Sequence, residues 1–220
     1  MPLTRRGWVD DPDAELGARD WRTLPWVADT EAALERDRGR HPGADDLRRI
    51  DAYRVAPAEY LDNPHFRMRM LESELAHMLR TWLGALTEVL DEETACKVAH
   101  AAGMTHGKRR LGTFLKGQGL PGGAESMAMW QDTAHAGAGV KHTSALFARY
   151  DDELVEVRRT EDSFGSHEGK PPPASDAFFD GFVDGYMTTD PKLASVEELK
   201  RRLPDGGVEF IHRFRYRRAR

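Results

Sequence analysis

The stretch "GGVEFIHRFRY", residues 206–216, alternates strictly between two sets of side chains. One face of the resulting strand would carry Val208, Phe210, His212, Phe214 and Tyr216. The other face would carry Glu209, Ile211, Arg213 and Arg215. A period of two predicts a half-buried β-strand. The histidine is the odd member of the apolar face: it is either a satisfied core residue or, if the sheet covers a cavity, a group that points into that cavity.

A second pair of segments has the same period. "SALFARY" (144–150) and "ELVEVRRT" (153–160) alternate on either side of two aspartates, which predicts an antiparallel hairpin. Together with the last strand, these segments predict a small antiparallel sheet.

Helical periodicity dominates the middle of the chain. Residues 64–90 carry apolar side chains every three or four positions, on one face: Met68, Leu71, Leu75, Met78, Trp82, Leu86 and Val89. Further helices are predicted over 92–116, 124–136, 175–187 and 195–202. In the second helix, Gly103 and Gly107 lie one turn apart, which would allow the backbone of a neighbour to approach closely. The predicted class is α+β, with a helical layer packed on the small antiparallel sheet.

The first 57 residues differ in composition from the rest. They are highly charged, contain three tryptophans, and predict two short helices at 29–38 and 43–52. We expect residues 1–57 to form an arm and residues 58–220 to form a single α+β domain. The tryptophans would dock on the main body or on a second subunit, so a homodimer is left open. The alternative for this segment is a disordered leader.

Charge and composition exclude several classes of protein. The net charge is -5 and the pI about 6.0, which argues against nucleic-acid binding. No apolar run reaches the ~20 residues of a membrane helix, and the N-terminus lacks a secretory pattern. Cys96 is the single cysteine, so no internal disulfide forms. We expect a cytoplasmic protein, and the preference for Arg over Lys suggests a bacterial source.

The third predicted helix carries the first candidate site. Gln131 and His135 lie one turn apart beside Trp130, and Asp132 precedes the histidine by three residues. Such a set could hold a small polar ring and move a proton, with the aspartate orienting the imidazole. The alternative is a helix end whose histidine bonds to local backbone.

Other histidines and arginines extend the candidate site. His106 and Arg109 could bind a carboxylate, although a solvated basic turn is the competing interpretation. Cys96 and His100 are also one turn apart, where a plain buried thiol is the simpler reading. No metal motif is present and no cofactor is expected. A metal site is left open as an alternative that would require His106, His135, His167 and His212 to converge.

Three segments resemble a known family: "LVEVRRTEDSFGSH" (154–167), "FFDGFVDGYMTTDPKL" (178–193) and "LPDGGVEFIHRFR" (203–215). Their order is similar to that of the L-2-amino-thiazoline-4-carboxylic acid hydrolase family and of the related vinyl-reductase and TRAPP-type ligand-binding folds. The cysteines of that family are replaced here by Asp162–Ser163 and Glu209–Phe210. The resemblance implies a small-molecule cavity between helices and sheet, and hydrolytic ring opening.

These observations define two functional hypotheses. The first is a hydrolase, or another enzyme acting on C–N bonds, whose substrate is a small polar heterocycle or amide, in specialised metabolism. Its catalytic residues would be His135, Asp132 and His167. Its substrate-binding residues would be Trp130, Gln131, His106, Arg109, Ser163, Tyr186 and His212. The second hypothesis is a non-catalytic small-molecule-binding or scaffold protein of the same fold.

Overall fold

The computed structural model describes residues 3–10, 19–20, 56, 58, 64–137, 147–150, 152–159, 173–204, 206 and 208–217. In chain order the elements are β1 (Leu3–Trp8), β2 (Arg19–Asp20), α1 (Pro64–Val89), α2 (Glu92–Gln118), α3 (Ala124–Gly137), β3 (Phe147–Tyr150), β4 (Leu154–Arg159), α4 (Ala174–Thr189), β5 (Leu193–Arg202) and β6 (Val208–Tyr216). The predicted helices at 29–38 and 43–52 lie outside the described residues.

One sheet unites all the described strands, in the order β1-β5-β6-β4-β3-β2. The predicted hairpin forms between β3 and β4, and β4 continues antiparallel to β6. The α+β class is therefore confirmed. The sheet is mixed, however, because β1 runs parallel to β5. The first residues of the predicted arm thus form an edge strand of the main sheet.

The helix predicted over 195–202 is wrong. This segment belongs to β5, which is paired with β1 on one side and with β6 on the other. Its Glu, Leu, Lys and Arg residues favour a helix when considered locally. The pairing of both edges and the burial of Val196 and Leu199 outweigh that preference.

Helices α2 and α4 pack with their backbones almost in contact. A methyl group at Gly103 would overlap the carbonyl oxygen of Phe178, and one at Gly107 would overlap that of Phe182. Gly181 of α4 stands against the carbonyl of His100 in the same way. The close approach predicted for the two α2 glycines is therefore observed, and a glycine of α4 makes the same kind of contact with α2. Close packing of this kind fixes the relative position of the two helices.

The main core lies between the helices and one face of the sheet. Val155, Val196 and Phe214 are neighbours in adjacent strands and are almost fully buried on this face. They belong to the same apolar cluster as Met127 of α3 and Val183 of α4. This cluster supplies most of the apolar burial that holds the layers together.

The other face of the sheet is also buried, although it carries charges. Glu156 is fully buried and accepts hydrogen bonds from the Nε atoms of Arg158 (2.6 Å) and Arg213 (2.8 Å). Arg215 donates to Glu197 on the same face (3.0 Å). The prediction that β6 is half-buried is therefore wrong. Mutual pairing allows these charges to be buried, because each carboxylate is held by a guanidinium.

Helix α1 contacts the rest of the described fold through three leucines, of which only Leu86 belongs to the predicted apolar face. Leu83 is fully buried, with Leu79 and Leu86 packed around it against α2 and α4. The predicted apolar face is instead largely open to solvent, with exposed fractions of 54% at Leu71 and 64% at Met78.

Candidate functional site

A groove of about 480 Å³ lies where the middle of α2 passes α3. Five of its lining residues come from α2 and one from α3: His106, Arg109, Arg110, Thr113, Phe114 and Trp130. The spacing of the α2 residues places them on one side of that helix, because positions three or four apart are neighbours. Three residues of the predicted site, His106, Arg109 and Trp130, are brought together here.

Trp130 forms the aromatic wall of the groove and is held from behind. Its indole Nε1 donates a hydrogen bond to the hydroxyl of Tyr186 on α4, at 2.7 Å. The ring of Phe114 packs beside it, with ring centroids 5.0 Å apart. Tyr186 is a predicted substrate-binding residue. It supports the wall and is not among the described residues that line the groove. The indole is only 8% exposed, so a small part of it faces the groove, and packing and the hydrogen bond fix the position of that part.

Two guanidinium groups supply the charge of the groove. Arg110 places its guanidinium 5.1 Å from the centroid of the Trp130 ring, within cation–π distance. Arg109, its neighbour in sequence, lines the same concavity. None of the lining residues in the described part of the chain is a carboxylate. The groove is therefore electropositive, and its arginines can bind an oxyanion with two parallel N–H donors each.

His106 contributes an imidazole at one end of the groove. Its ring packs against the rings of Phe182 (5.6 Å) and Phe178 (6.3 Å). Burial against these rings lowers the pKa of His106 below its ordinary value of 6.5, and the charges of Arg110 and Arg109 lower it further. At neutral pH the ring is therefore neutral and can accept a proton or a hydrogen bond.

Two predicted binding residues lie elsewhere in the described fold. The side chain of Gln131 is buried, and its amide lies 3.5 Å from the sulfur of Met127. His212 is buried under α4, where its Nε2 lies 3.3 Å from a carboxylate oxygen of Glu198 and its ring meets the edge of Phe179. His212 therefore has the surroundings of a satisfied core histidine. Neither residue is among those lining the groove.

The remaining predicted residues fall outside what the structure describes. The backbone of α3 includes Asp132 and His135, but their side chains are not described. Ser163 and His167 lie within 160–172, which is outside the described residues. The catalytic assignments to His135, Asp132 and His167 remain predictions.

Cys96 and His100 do not form a nucleophilic pair. The thiol of Cys96 faces the carbonyl oxygen of Pro173, 4.0 Å away, whereas His100 pairs with Asp184 of α4 at 2.8 Å. Burial raises the pKa of the Cys96 thiol, and the charges of Glu92 and Asp176 raise it further. A thiol that resists ionisation is a poor nucleophile.

Arg110, Thr113 and Phe114 also line the groove but are not among the predicted site residues. The signal that could have identified them is the helical spacing from His106, at four, seven and eight positions further on. Within the described residues, no group of three His, Cys, Asp or Glu side chains could hold a metal ion. In the same part of the chain, no helix combines the length and apolar character that crossing a bilayer requires.

No family model matches the chain, so the expected resemblance to the amino-thiazoline hydrolase family is not supported. No curated protein matches it either. A crystal structure of a trafficking protein particle complex subunit 3 from Naegleria fowleri, covalently bound to palmitic acid, aligns with a TM-score of 0.34 and 16% identity. The alignment covers 66% of this chain and 98% of that chain. Similarity at this level indicates nothing about function.

Proposed function

We propose that the groove between α2 and α3 binds a small molecule that carries a planar ring and a carboxylate. The observation that supports this proposal is the placement of Arg109 and Arg110 in the same concavity as the immobilised ring of Trp130. The arginines would hold the carboxylate, and the ligand's ring would pack against Phe114 and the exposed part of the Trp130 indole. Pockets for small molecules combine apolar walls with a few converging polar groups in this way.

The binding step can be tested with simple aromatic carboxylates and their uncharged amides. Saturation-transfer NMR and calorimetry would compare benzoate, nicotinate and indole-3-carboxylate with the matching amides. We expect the acids to bind and the amides to bind at least tenfold more weakly, because a charged hydrogen bond contributes roughly 1.5–3 kcal/mol. Equal affinity for acids and amides would contradict the proposal.

Substitution of single arginines would localise the site. We expect Arg110→Gln to weaken binding of the carboxylate about tenfold or more, since it removes both a charge and the contact with Trp130. Lys108→Gln is the matched control, because Lys108 is an exposed cation of the same helix and does not line the groove. If both variants lost affinity equally, the effect would be one of overall charge rather than of the groove.

A second candidate is catalysis at this site, and the neutral imidazole of His106 favours it. We propose that the enzyme would hydrolyse, or otherwise act on, a C–N bond in a small heterocycle or amide. In this scheme His135 is the acid–base residue and Asp132 orients it, on the same helix that carries Trp130. The proposed setting is the specialised metabolism of a bacterial cytoplasm.

Turnover separates catalysis from binding alone. Cyclic amides and thiazolines bearing a carboxylate would be incubated with the wild-type protein, His135→Ala and His106→Gln, and the products analysed by mass spectrometry. Catalysis requires that one or both variants lose turnover while still binding the aromatic carboxylate. Binding without turnover in the wild-type protein would leave the binding function and discard the enzyme.

A further inference from the structure

Helix α1 carries a stripe of exposed apolar side chains that the described part of the fold does not cover. The stripe consists of Leu71, Leu75, Met78, Trp82 and Val89, with exposed fractions of 54%, 59%, 64%, 40% and 80%. At 3.6 residues per turn, the five positions fall within an arc of about 60° around the helix axis. Single exposed apolar residues are common, but a continuous row of them marks an interaction surface.

The stripe adjoins the face by which α1 is anchored. Leu83 and its neighbours Leu79 and Leu86 pack against α2 and α4. From Leu75 to Val89, the anchored face and the stripe together form an apolar arc of about 140°, wider than the roughly 100° that a helix needs to cover a core on one side only. A helix with this pattern is typical of one that lies between two layers, of which the described fold supplies one.

The spacing of the stripe is that of a helix-pairing seam. Steps of four, three, four and seven residues lead from Leu71 to Val89. Ala85 divides the last step, between Trp82 and Val89, into three and four residues. This is a strict alternation of the a and d positions of a heptad repeat, which places every member against one partner helix. No charged residue occupies a seam position between 71 and 89. The complementary surface for such a seam is a second helix with the same repeat.

We propose that the partner is α1 of a second copy of this chain, packed antiparallel across a two-fold axis. In this arrangement Leu75 faces Met78 of the other copy, and the large Trp82 faces Leu71. A parallel pair would instead place the two Trp82 side chains in the same layer, where a two-stranded core has little room. An isologous contact needs no second surface, because one self-complementary stripe provides both sides.

Area and charge support this partner. The exposed parts of the five side chains amount to roughly 500 Å², so two copies would bury about 1,000 Å², the size at which specific interfaces begin. Glu74 and Glu88 flank the stripe and would be repelled by an anionic membrane, whereas surface-binding helices carry Lys and Arg there. Across an antiparallel pair, Glu74 lies beside Thr81 of the other copy rather than beside another carboxylate.

Sedimentation velocity of the full chain over a range of concentrations tests the proposal. We expect the wild-type protein to dimerise. The double variant Leu75→Glu/Met78→Glu should still be monomeric at a concentration at least tenfold higher than the one at which the wild-type protein dimerises. Val98→Glu is the matched control, because Val98 is an exposed apolar residue of α2 outside the stripe. Far-UV circular dichroism and the thermal midpoint would confirm that each variant is folded. A wild-type monomer at all concentrations, or a dimer unaffected by the double variant, would overturn the proposal.

Disulfide trapping tests the antiparallel arrangement. In a Cys96→Ser background, protein with Leu75→Cys would be mixed with protein with Met78→Cys and oxidised. Facing core positions can reach the Cα separation of roughly 4.4–6.8 Å that a disulfide needs. We expect the mixed disulfide to form faster than either homodisulfide. Faster formation of the homodisulfides would show a parallel pair and reject the arrangement, and no trapping at all would reject the seam.

Discussion

The indole Nε1 of Trp130 donates a hydrogen bond to the hydroxyl of Tyr186, 2.7 Å away, and both residues are buried. This bond joins α3, which provides the wall of the groove, to α4, which packs against α2 through glycines. The orientation of the wall therefore depends on a contact between two helices that the chain separates by 56 residues.

Tyr186→Phe should destabilise the protein by about 1–3 kcal/mol, because it leaves the buried indole N–H without its acceptor. Urea unfolding would measure the loss. Tyr216→Phe is the matched control, since the Tyr216 hydroxyl is buried and has no hydrogen-bond partner within the described part of the chain. We expect that control to be neutral or slightly stabilising. Equal losses for the two variants would mean that the bond between Trp130 and Tyr186 contributes little.

Gly103→Ala should cost at least about 2 kcal/mol, because its methyl group would overlap the Phe178 carbonyl and force α2 and α4 apart. Gly112→Ala, in the same helix, meets only the Thr189 methyl group at 3.7 Å. That variant should be stabilising by about 0.5–1 kcal/mol, the usual gain from alanine in a helix. Thermal and chemical unfolding of the two variants would check the contrast, and a stable Gly103→Ala protein would contradict the close packing.

Glu156→Ala should destabilise the protein by about 3–5 kcal/mol, because it leaves the buried guanidinium groups of Arg158 and Arg213 without their shared carboxylate. Unfolding in urea would give the difference in free energy. Glu93→Ala is the control: Glu93 also pairs with a cation, Lys97, but both side chains are exposed. We expect that loss to stay below about 0.5 kcal/mol. A small effect at Glu156 would show that this face of the sheet is hydrated.

The pKa of His106 should be measured below 6.5 by NMR titration of its ring protons. Because the pKa of His106 is lower in the folded protein than in the unfolded chain, the unfolded chain binds more protons at pH values between these two pKa values. The contribution of His106 to stability is therefore complete above about pH 6.5 and declines as the pH falls through this interval. In His106→Gln, the slope of stability against pH should flatten in this interval. Arg110→Gln should move the pKa of His106 back upward, because it removes a neighbouring positive charge. An unchanged pKa in Arg110→Gln would contradict that electrostatic contribution.

The candidate site was only partly accessible to prediction. The chemistry of His106, Arg109 and Trp130 predicts that they belong to a site, and the groove unites them. The same chemistry predicts Gln131 and His212, which are buried apart from the groove, next to Met127 and Glu198. Residue type and spacing indicate which side chains share a face, but they do not reveal which of those faces borders an open space.

What could be determined from the chain alone was local: the long helix Pro64–Val89, the glycines of α2 that permit close approach, and the alternation of β6. These properties follow from the order of consecutive side chains, which sets the period of a helix or a strand. The tertiary structure decided the rest. It made a strand of Leu193–Arg202 because two neighbouring strands satisfy its backbone, and it buried a charged sheet face because arginines and glutamates from different strands neutralise each other. It also left an apolar stripe of α1 exposed, because α2 and α4 cover only the adjoining face of that helix.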